Sequence, residues 1–484
     1  MNNSKNYYIR AEVTLTLTTL TELLIGTNSV AEDTSTADPT FIKMALKGVD
    51  DNPFIPASTV KGCLRSLVTE QSLMTEDEVV LLFGNSKGQS DKALSKGCLL
   101  FGQAFSADKD VTTIRRTHVA VDELTGTAKE NHLFTLEKVV PGNVFKCRLR
   151  AKMIDKSVWE KLLRLLKNQE LSLGSGTSNS DGMLCCELTN IRVMDNQQFR
   201  NWVVTGGNNE LGSEEDGLLP FSEGFQDSAA SDNSLAMTLN FSITSPDPIL
   251  IADPILVEKR KKEVGDDDRV PDLIGCANEA GEPYLPASSL RGLLRAQYRR
   301  IVRTLARNYC IKDKTNKLVD KFCEPLWGST RFKSAIVIRD AIHVGEHCVH
   351  EQSLIAIDRF TGGVAKGNML SVEAYLINAF DWSLTLNTAL MAPKFHAQRV
   401  ILLMVIRDMM EGEMIIGAKK AAGYGRLKFS GKSPSNTTDK LPENWDVKAF
   451  ASQLQVDLDK VDSSIFAEFN RLQDVANGET IAHD

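Results

Sequence analysis

Two glycine-rich stretches hold the first residues whose type and spacing can do chemistry. Gly174-Ser175-Gly176-Thr177 and Gly417-Ala418-Lys419-Lys420-Ala421-Ala422-Gly423-Tyr424-Gly425-Arg426 let backbone amides approach phosphate oxygens closely. A tight turn between core elements uses the same pattern, and neither stretch is a GxxxxGK[ST] phosphate loop. Lys419, Lys420 and Arg426 add positive charge to the second, which favours a nucleic-acid backbone. Two further segments place cations at a helix start. Lys61 and Arg65 are four apart, as are Arg291 and Arg295, so each pair shares a helix face. Ser58 and Ser288 lie just ahead of them, and a helix start with hydroxyls and cations is a ready anion site. A solvated charged face is the plainer alternative for either pair alone. His343, His347, Cys348 and His350 crowd one stretch, but their spacing fits no structural zinc motif, so strand and loop histidines are expected. His118 and His350 are additional candidates for contact with a nucleic-acid backbone. No HExxH or EF-hand loop occurs.

The elements that must position these residues come in duplicate. Ile55-Pro56-Ala57-Ser58-Thr59-Val60-Lys61-Gly62-Cys63-Leu64-Arg65 returns as Leu285-Pro286-Ala287-Ser288-Ser289-Leu290-Arg291-Gly292-Leu293-Leu294-Arg295. Val119-Ala120-Val121-Asp122 with Thr125-Gly126 returns as Ile355-Ala356-Ile357-Asp358 with Thr361-Gly362. Leu82-Phe83-Gly84 returns as Leu326-Trp327-Gly328, and the two glycine-rich stretches make the fourth pair. All four keep their order at offsets between about 230 and 244 residues, which marks an internal repeat. Each copy opens with period-two alternation: Ile9, Ala11, Val13, Leu15 and Leu17, then Leu235, Met237, Leu239, Phe241 and Ile243. That period means a half-buried strand. Leu290, Leu293, Leu294 and Ile301 give the following helix an apolar face. The expected class is α+β, with two ferredoxin-like or RNA-recognition-type domains in tandem. Their expected spans are 1–200 and 234–430, joined by a Gly-, Ser- and acid-rich linker over 201–233 and followed by a weakly helical tail over 431–484.

Composition narrows the class without naming a function. Apolar residues at 42% and charged ones at 25% are ordinary for a globular protein. A net charge of −7 argues against binding nucleic acid through bulk charge, though local basic stripes remain compatible with it. The N-terminus lacks a signal-like apolar run, no membrane span is expected, and nine scattered cysteines without a CxxC pair fit reduced thiols in a cytoplasm.

The string [IL]P-A-S-[ST]-[VL]-[KR]-G-x-L-R closely resembles the [IVL]PGSSLKGxLR signature of the RAMP superfamily, the CRISPR backbone proteins. The order of the later motifs is also similar, and the resemblance covers roughly residues 7–190 and 235–430. It departs in Ala57 and Ala287, which replace the usual glycine, and in the end of copy one, which lacks an aromatic and an arginine. The resemblance implies a type III effector subunit that holds guide CRISPR RNA and cuts single-stranded target RNA paired with it, at two positions about six nucleotides apart. It implies partner subunits of that complex: a large signalling subunit, other backbone subunits and small subunits. A β-hairpin thumb is expected around Val119–Lys129 and Ile355–Lys366, with Thr125, Lys129, Thr361 and Lys366 reaching toward RNA. Family nucleases carry an aspartate between the first strand and the PxSS helix in an x-D-[SP]-x-[VFI]-I pattern. This points to Asp38 and, through a poorer match, to Asp272, with Asp33, Asp266, Asp267 and Asp268 as neighbouring choices. A carboxylate there can act as base or hold a divalent ion, Mg or Mn. A guide-holding scaffold and a guide-processing endoribonuclease are the alternatives within the family.

Overall fold

A computed structural model describes residues 7–33, 40–45, 47–48, 52–70, 74–85, 96–108, 111–122, 127–204, 219–220, 236–264, 270–278, 280–308, 315–329, 332–432 and 441–477. The chain forms two compact units, one from residues 1–118, 133–177 and 181–233 and one from 119–132, 178–180 and 234–484.

In the first unit, strand β1 (Tyr7–Thr19) lies between β2 (Val144–Asp155) and β3 (Met183–Asp195), antiparallel to both. The short strands Leu99–Phe101 and Ala104–Ser106 continue the sheet beyond β2. The expected alternation holds: Ala11, Val13, Leu15 and Leu17 are buried, with polar residues between them mostly on the other face. Helix α1 (Ala57–Glu70) packs on the buried face. Its Val60, Leu64 and Val68 recur every four residues and are fully buried, each side chain contributing about 1.5–3 kcal/mol. Leu64→Ala alone would cost about 2–5 kcal/mol. Helix α2 (Lys156–Leu166) adds Trp159, Leu162, Leu163 and Leu166 to the same core, and its start is fixed by Asp155 accepting from the Ser157 amide. A separate four-stranded sheet runs in the order Gly26–Asp33, Thr40–Ala45, Ala128–Val139, Thr113–Val121.

The second unit repeats the plan. Strands β4 (Ala236–Thr244), β5 (Ala341–Ile357), β6 (Val364–Asn387) and β7 (Arg426–Gly431) are ordered β5-β6-β4-β7, antiparallel throughout. Helix α3 (Ala287–Asn308) follows β4, and α4 (His396–Met410) follows β6. A βαββαβ chain with its first and third strands central is the ferredoxin-like arrangement expected from the sequence. The segment read as a tail instead carries core residues. Helices α5 (Val447–Gln453) and α6 (Val461–Asn477) supply Phe450, Ile465, Phe469 and Leu472, and Phe469 meets Phe322 at 5.1 Å between ring centroids. Among the described residues no helix is long and apolar enough to cross a membrane.

Candidate nucleic-acid interface and cleavage loop

The glycine-rich stretches are twin turns. Gly174 and Gly417 have φ of +86° and +84°, and a Cβ on either would overlap the carbonyl of Leu24 or Leu250. Gly182 and Gly425, at +70° and +82°, press in the same way on Leu173 and Ile416. Only glycine tolerates that combination. The hydrogen bonds repeat as well: Ser175 N–H donates to Leu24 O at 2.8 Å, and Ala418 N–H to Leu250 O at 2.7 Å. The Ser175 and Ala418 amides therefore serve the fold rather than a phosphate. The exposed cations of the second turn are Lys419, in the left-handed region at φ +57°, and Lys420. Arg426 is exposed but shares Asp247 at 3.1 Å.

Both thumbs are hairpins closed by an equivalent hydrogen bond. Asp122 N–H donates to Thr127 O, and Asp358 N–H to Gly363 O, at 2.8 and 2.9 Å. Asp358 also accepts from the Thr361 and Phe360 amides, and these two bonds hold its carboxyl below the usual range. The second hairpin is long, and its tip carries Phe360 fully exposed beside exposed Thr361. Lys129 is exposed on the first hairpin, Lys366 lies on β6, and Thr125 is outside the described residues.

At the helix starts the two cation pairs diverge. Lys61 and Arg65 are half-buried, and Arg295 is exposed. Arg291 turns inward: its guanidinium donates to Trp327 O at 2.7 Å, Ser334 Oγ at 3.1 Å and Ile336 O at 3.3 Å. Burial first, and the Arg295 charge second, bring it down to about 10. Arg291 thus fastens the turn after Trp327, contrary to its expected phosphate contact. Ser58 and Ser288 sit inside their helices, and the first amide of α3, on Ala287, donates to Asp340 at 2.6 Å.

Asp272 is exposed, on the loop that leads into Leu273–Ile274. Its Oδ2 accepts from the Ser371 amide at 2.8 Å and hydroxyl at 2.9 Å, and its own amide donates to Ser371 Oγ at 3.1 Å. These bonds, the backbone one first, hold the carboxyl below its usual value, so it is ionised at neutral pH. No protein hydrogen bond to Oδ1 occurs among the described residues. A small apolar cluster of Leu250, Val372, Ala374 and Tyr424, with Leu273, Leu354, Leu370 and Ala418 against it, ties this loop to the hairpin base and the glycine-rich turn. Sequence reading missed the helix Pro254–Val264, whose Arg260 pairs with buried Glu373 and whose exposed Lys261 also lowers the Asp272 pKa. The cue was present as the run Lys259-Arg260-Lys261-Lys262. Asp38 lies outside the described residues. The ladders give the two loops a constant offset of 230 from Lys43 and Leu273 to Pro53 and Pro283, so Ile42, rather than Asp38, holds the register position of Asp272.

The RAMP superfamily model matches residues 16–180 and again 271–428, together about two thirds of the chain. The chain belongs to the RAMP superfamily. No curated protein matches it. Among solved structures, one chain of a type III-B Cmr-beta complex in its apo state is 12% identical, covering 37% of this chain and 97% of that one at a TM-score of 0.30. A chain of the Cmr-beta complex bound to cognate target RNA is 11% identical, covering 37% and 96%, with the same TM-score of 0.30.

The two RAMP units solve the hairpin base differently. In the first, buried Lys138 lies 2.9 and 3.0 Å from Asp181 and 3.1 Å from Glu22, which also takes Arg116 at 2.8 Å. His118 stacks on Phe134 beside this network, and burial, then the Lys138 charge, lower it to about 4. The half-buried, neutral ring thus packs against the base of the hairpin. The corresponding positions of the second unit carry Pro248, Ala374 and Tyr424, the last donating to Gln352. His343 and His347 touch at 3.3 Å, and among the described residues no group of three or more metal-ligating side chains forms.

Proposed function

We propose that the chain is a tandem backbone subunit of a CRISPR type III ribonucleoprotein, binding guide RNA and cutting complementary target RNA at two positions about six nucleotides apart. The observation that carries this reading is repetition: one family pattern occurs twice, each time with a hairpin, a glycine-rich turn and a cation-bearing helix start. Two joined units suit two neighbouring positions on one guide. The partners are then guide RNA, target RNA and the other subunits of the complex.

Cleavage by this route forms a bond from the 2′-oxygen to phosphorus as the 2′-hydroxyl proton passes to water, and breaks the bond from phosphorus to the 5′-oxygen, which takes up a proton from water. A hairpin that splays one nucleotide supplies in-line alignment. Asp272, ionised and held low by Ser371, is a poor proton acceptor, so its role is to orient the linkage or hold a cation there. It offers one carboxylate, which fits Mg or Mn binding of the kind that takes its remaining ligands from water and phosphate. Asp38 is assigned the same role in the first unit on its motif alone. An idle-aspartate scaffold has one observation in its favour, the use of Asp272 as a staple on Ser371. In the assembled complex, Asp38→Ala and Asp272→Ala should each remove one discrete product of target cleavage. An unchanged product pattern in both would establish the scaffold reading.

A further inference from the structure

The outer face of the first unit's sheet carries a row of cations that the proposed cleavage does not use. Along β2, Lys146, Arg148, Arg150 and Lys152 alternate with buried Phe145, Cys147, Leu149 and Ala151 and are all exposed. Period two places the four on one face, about 6.8 Å apart from one to the next. Cross-strand partners share that face: Arg10 opposite Lys152, Glu12 opposite Arg150, Thr14 opposite Arg148 and Thr16 opposite Lys146. Glu12 is only 5% exposed and gathers Arg148, Arg150 and Arg192 at 3.3, 3.0 and 2.8 Å. One carboxylate among three guanidiniums fixes their positions and leaves net positive charge. Glu187, opposite Thr16, and Glu170, opposite Cys185 on the neighbouring edge strand, are the other anions of the face among the described residues. At the Lys146 end Phe105, 54% exposed, pairs with Lys146 across the strands, and its ring lies 6.0 Å from that of Phe54.

The second unit lacks this surface. Its matching row on β6 is Asp381, Ser383, Thr385 and Asn387, paired with Ser242, Asn240, Thr238 and Ala236. A common fold therefore does not require the cations.

We propose that this sheet face of the first unit binds a single strand of RNA, its phosphates along the Lys146–Lys152 row and a base on Phe105. Evenly spaced cations beside an exposed aromatic are the elements of sequence-tolerant single-strand binding. An acidic protein would match the charge but has no use for the ring. The proposal does not depend on target cleavage.

The test uses the full chain and a labelled short oligouridylate, with affinity measured across a salt series. Lys146→Ala/Lys152→Ala removes two exposed cations that do not pair with Glu12, and its melting temperature should match the parent's. Its log–log salt slope should be shallower by about 1.4, at roughly 0.7 per phosphate contact for a single strand. Phe105→Ala should weaken binding at least about fivefold without changing the slope. Unchanged slope and affinity in both variants would overturn the proposal. So would equal competition by polyglutamate together with no effect of Phe105→Ala, which would assign the face to an acidic protein.

Discussion

Lys138→Ala tests how the first unit holds its hairpin. The Lys138 side chain is 5% exposed, and its ammonium sits within 3.1 Å of both Glu22 and Asp181. Removing one partner of a buried ion pair costs about 3–5 kcal/mol. Glu22 and Asp181 keep about a fifth of their side-chain area in water, at 20% and 19%, which places the loss at the lower end. A loss of about 3 kcal/mol lowers the melting temperature of a unit this size by roughly 6–12 °C. The effect should depend on pH. Burial pushes the Glu22 carboxyl up, but the Lys138 and Arg116 charges overcome this and hold it below 4.5. Its share of stability is present above that pH and lost as pH falls through the folded value. Burial likewise pulls Lys138 down, while Asp181 and Glu22 lift it above 10.5, so its share is present below 10.5 and lost as pH rises through the folded value. The deficit of the variant should be full between these limits and shrink outside them. Scanning calorimetry of the full chain reads the loss, and hydrogen exchange should place it in Thr113–Val121. Lys138→Ala/Asp181→Tyr installs the residues found at Ala374 and Tyr424 and should recover more than half of it. A drop under about 2 °C at neutral pH, or exchange rising elsewhere, would refute the reasoning.

Five further substitutions test the second unit. Ser371→Ala removes the hydroxyl bond to Asp272, so the carboxyl should rise toward its usual 3.8, and the acid limb of target cleavage in the assembled complex should move to higher pH with the neutral rate little changed. Arg291→Ala strips donors from the Trp327 and Ile336 carbonyls and should cost about 1–3 kcal/mol in thermal melts without altering the RNA salt slope. Arg295→Ala, at an exposed site, should leave the melt alone and reduce that slope by about 0.7. Gly425→Ala combines φ of +82° with overlap of Ile416 O, whereas Gly423→Ala at +89° meets open space. In chemical denaturation the second should cost about 1–2 kcal/mol and the first clearly more.

The repeat was legible because burial periodicity is written locally. Leu15 and Leu17 in β1, and Leu239 and Phe241 in β4, alternate with residues that face away from the core, and the PxSS helices carry apolar residues at helical spacing. What tertiary partners decide was not. Nothing near Arg291 in the chain announces Trp327 and Ser334, which a separate helix and loop bring to it. Phe450 and Phe469 belong to short, weakly patterned helices, whose worth comes from stacking on Phe241 and Phe322. The register of Asp272 depends on a loop that is four residues longer than its counterpart between Ile25 and Lys43, and a motif match does not see that difference. The Glu12 cluster escaped notice because a lone glutamate on the outer face of a strand ordinarily reads as solvated.

The unlike hairpin bases also bear on how a duplicated chain folds. Repeats of one architecture risk exchanging equivalent pieces during synthesis. The first unit's hairpin, seated by mistake on Leu250 and Tyr424, would carry Lys138 and Arg116 into an apolar pocket without their carboxylates. The reverse exchange would leave Glu22 and Asp181 facing Ala374. Divergence at this one joint gives each hairpin base matching partners in its own half alone.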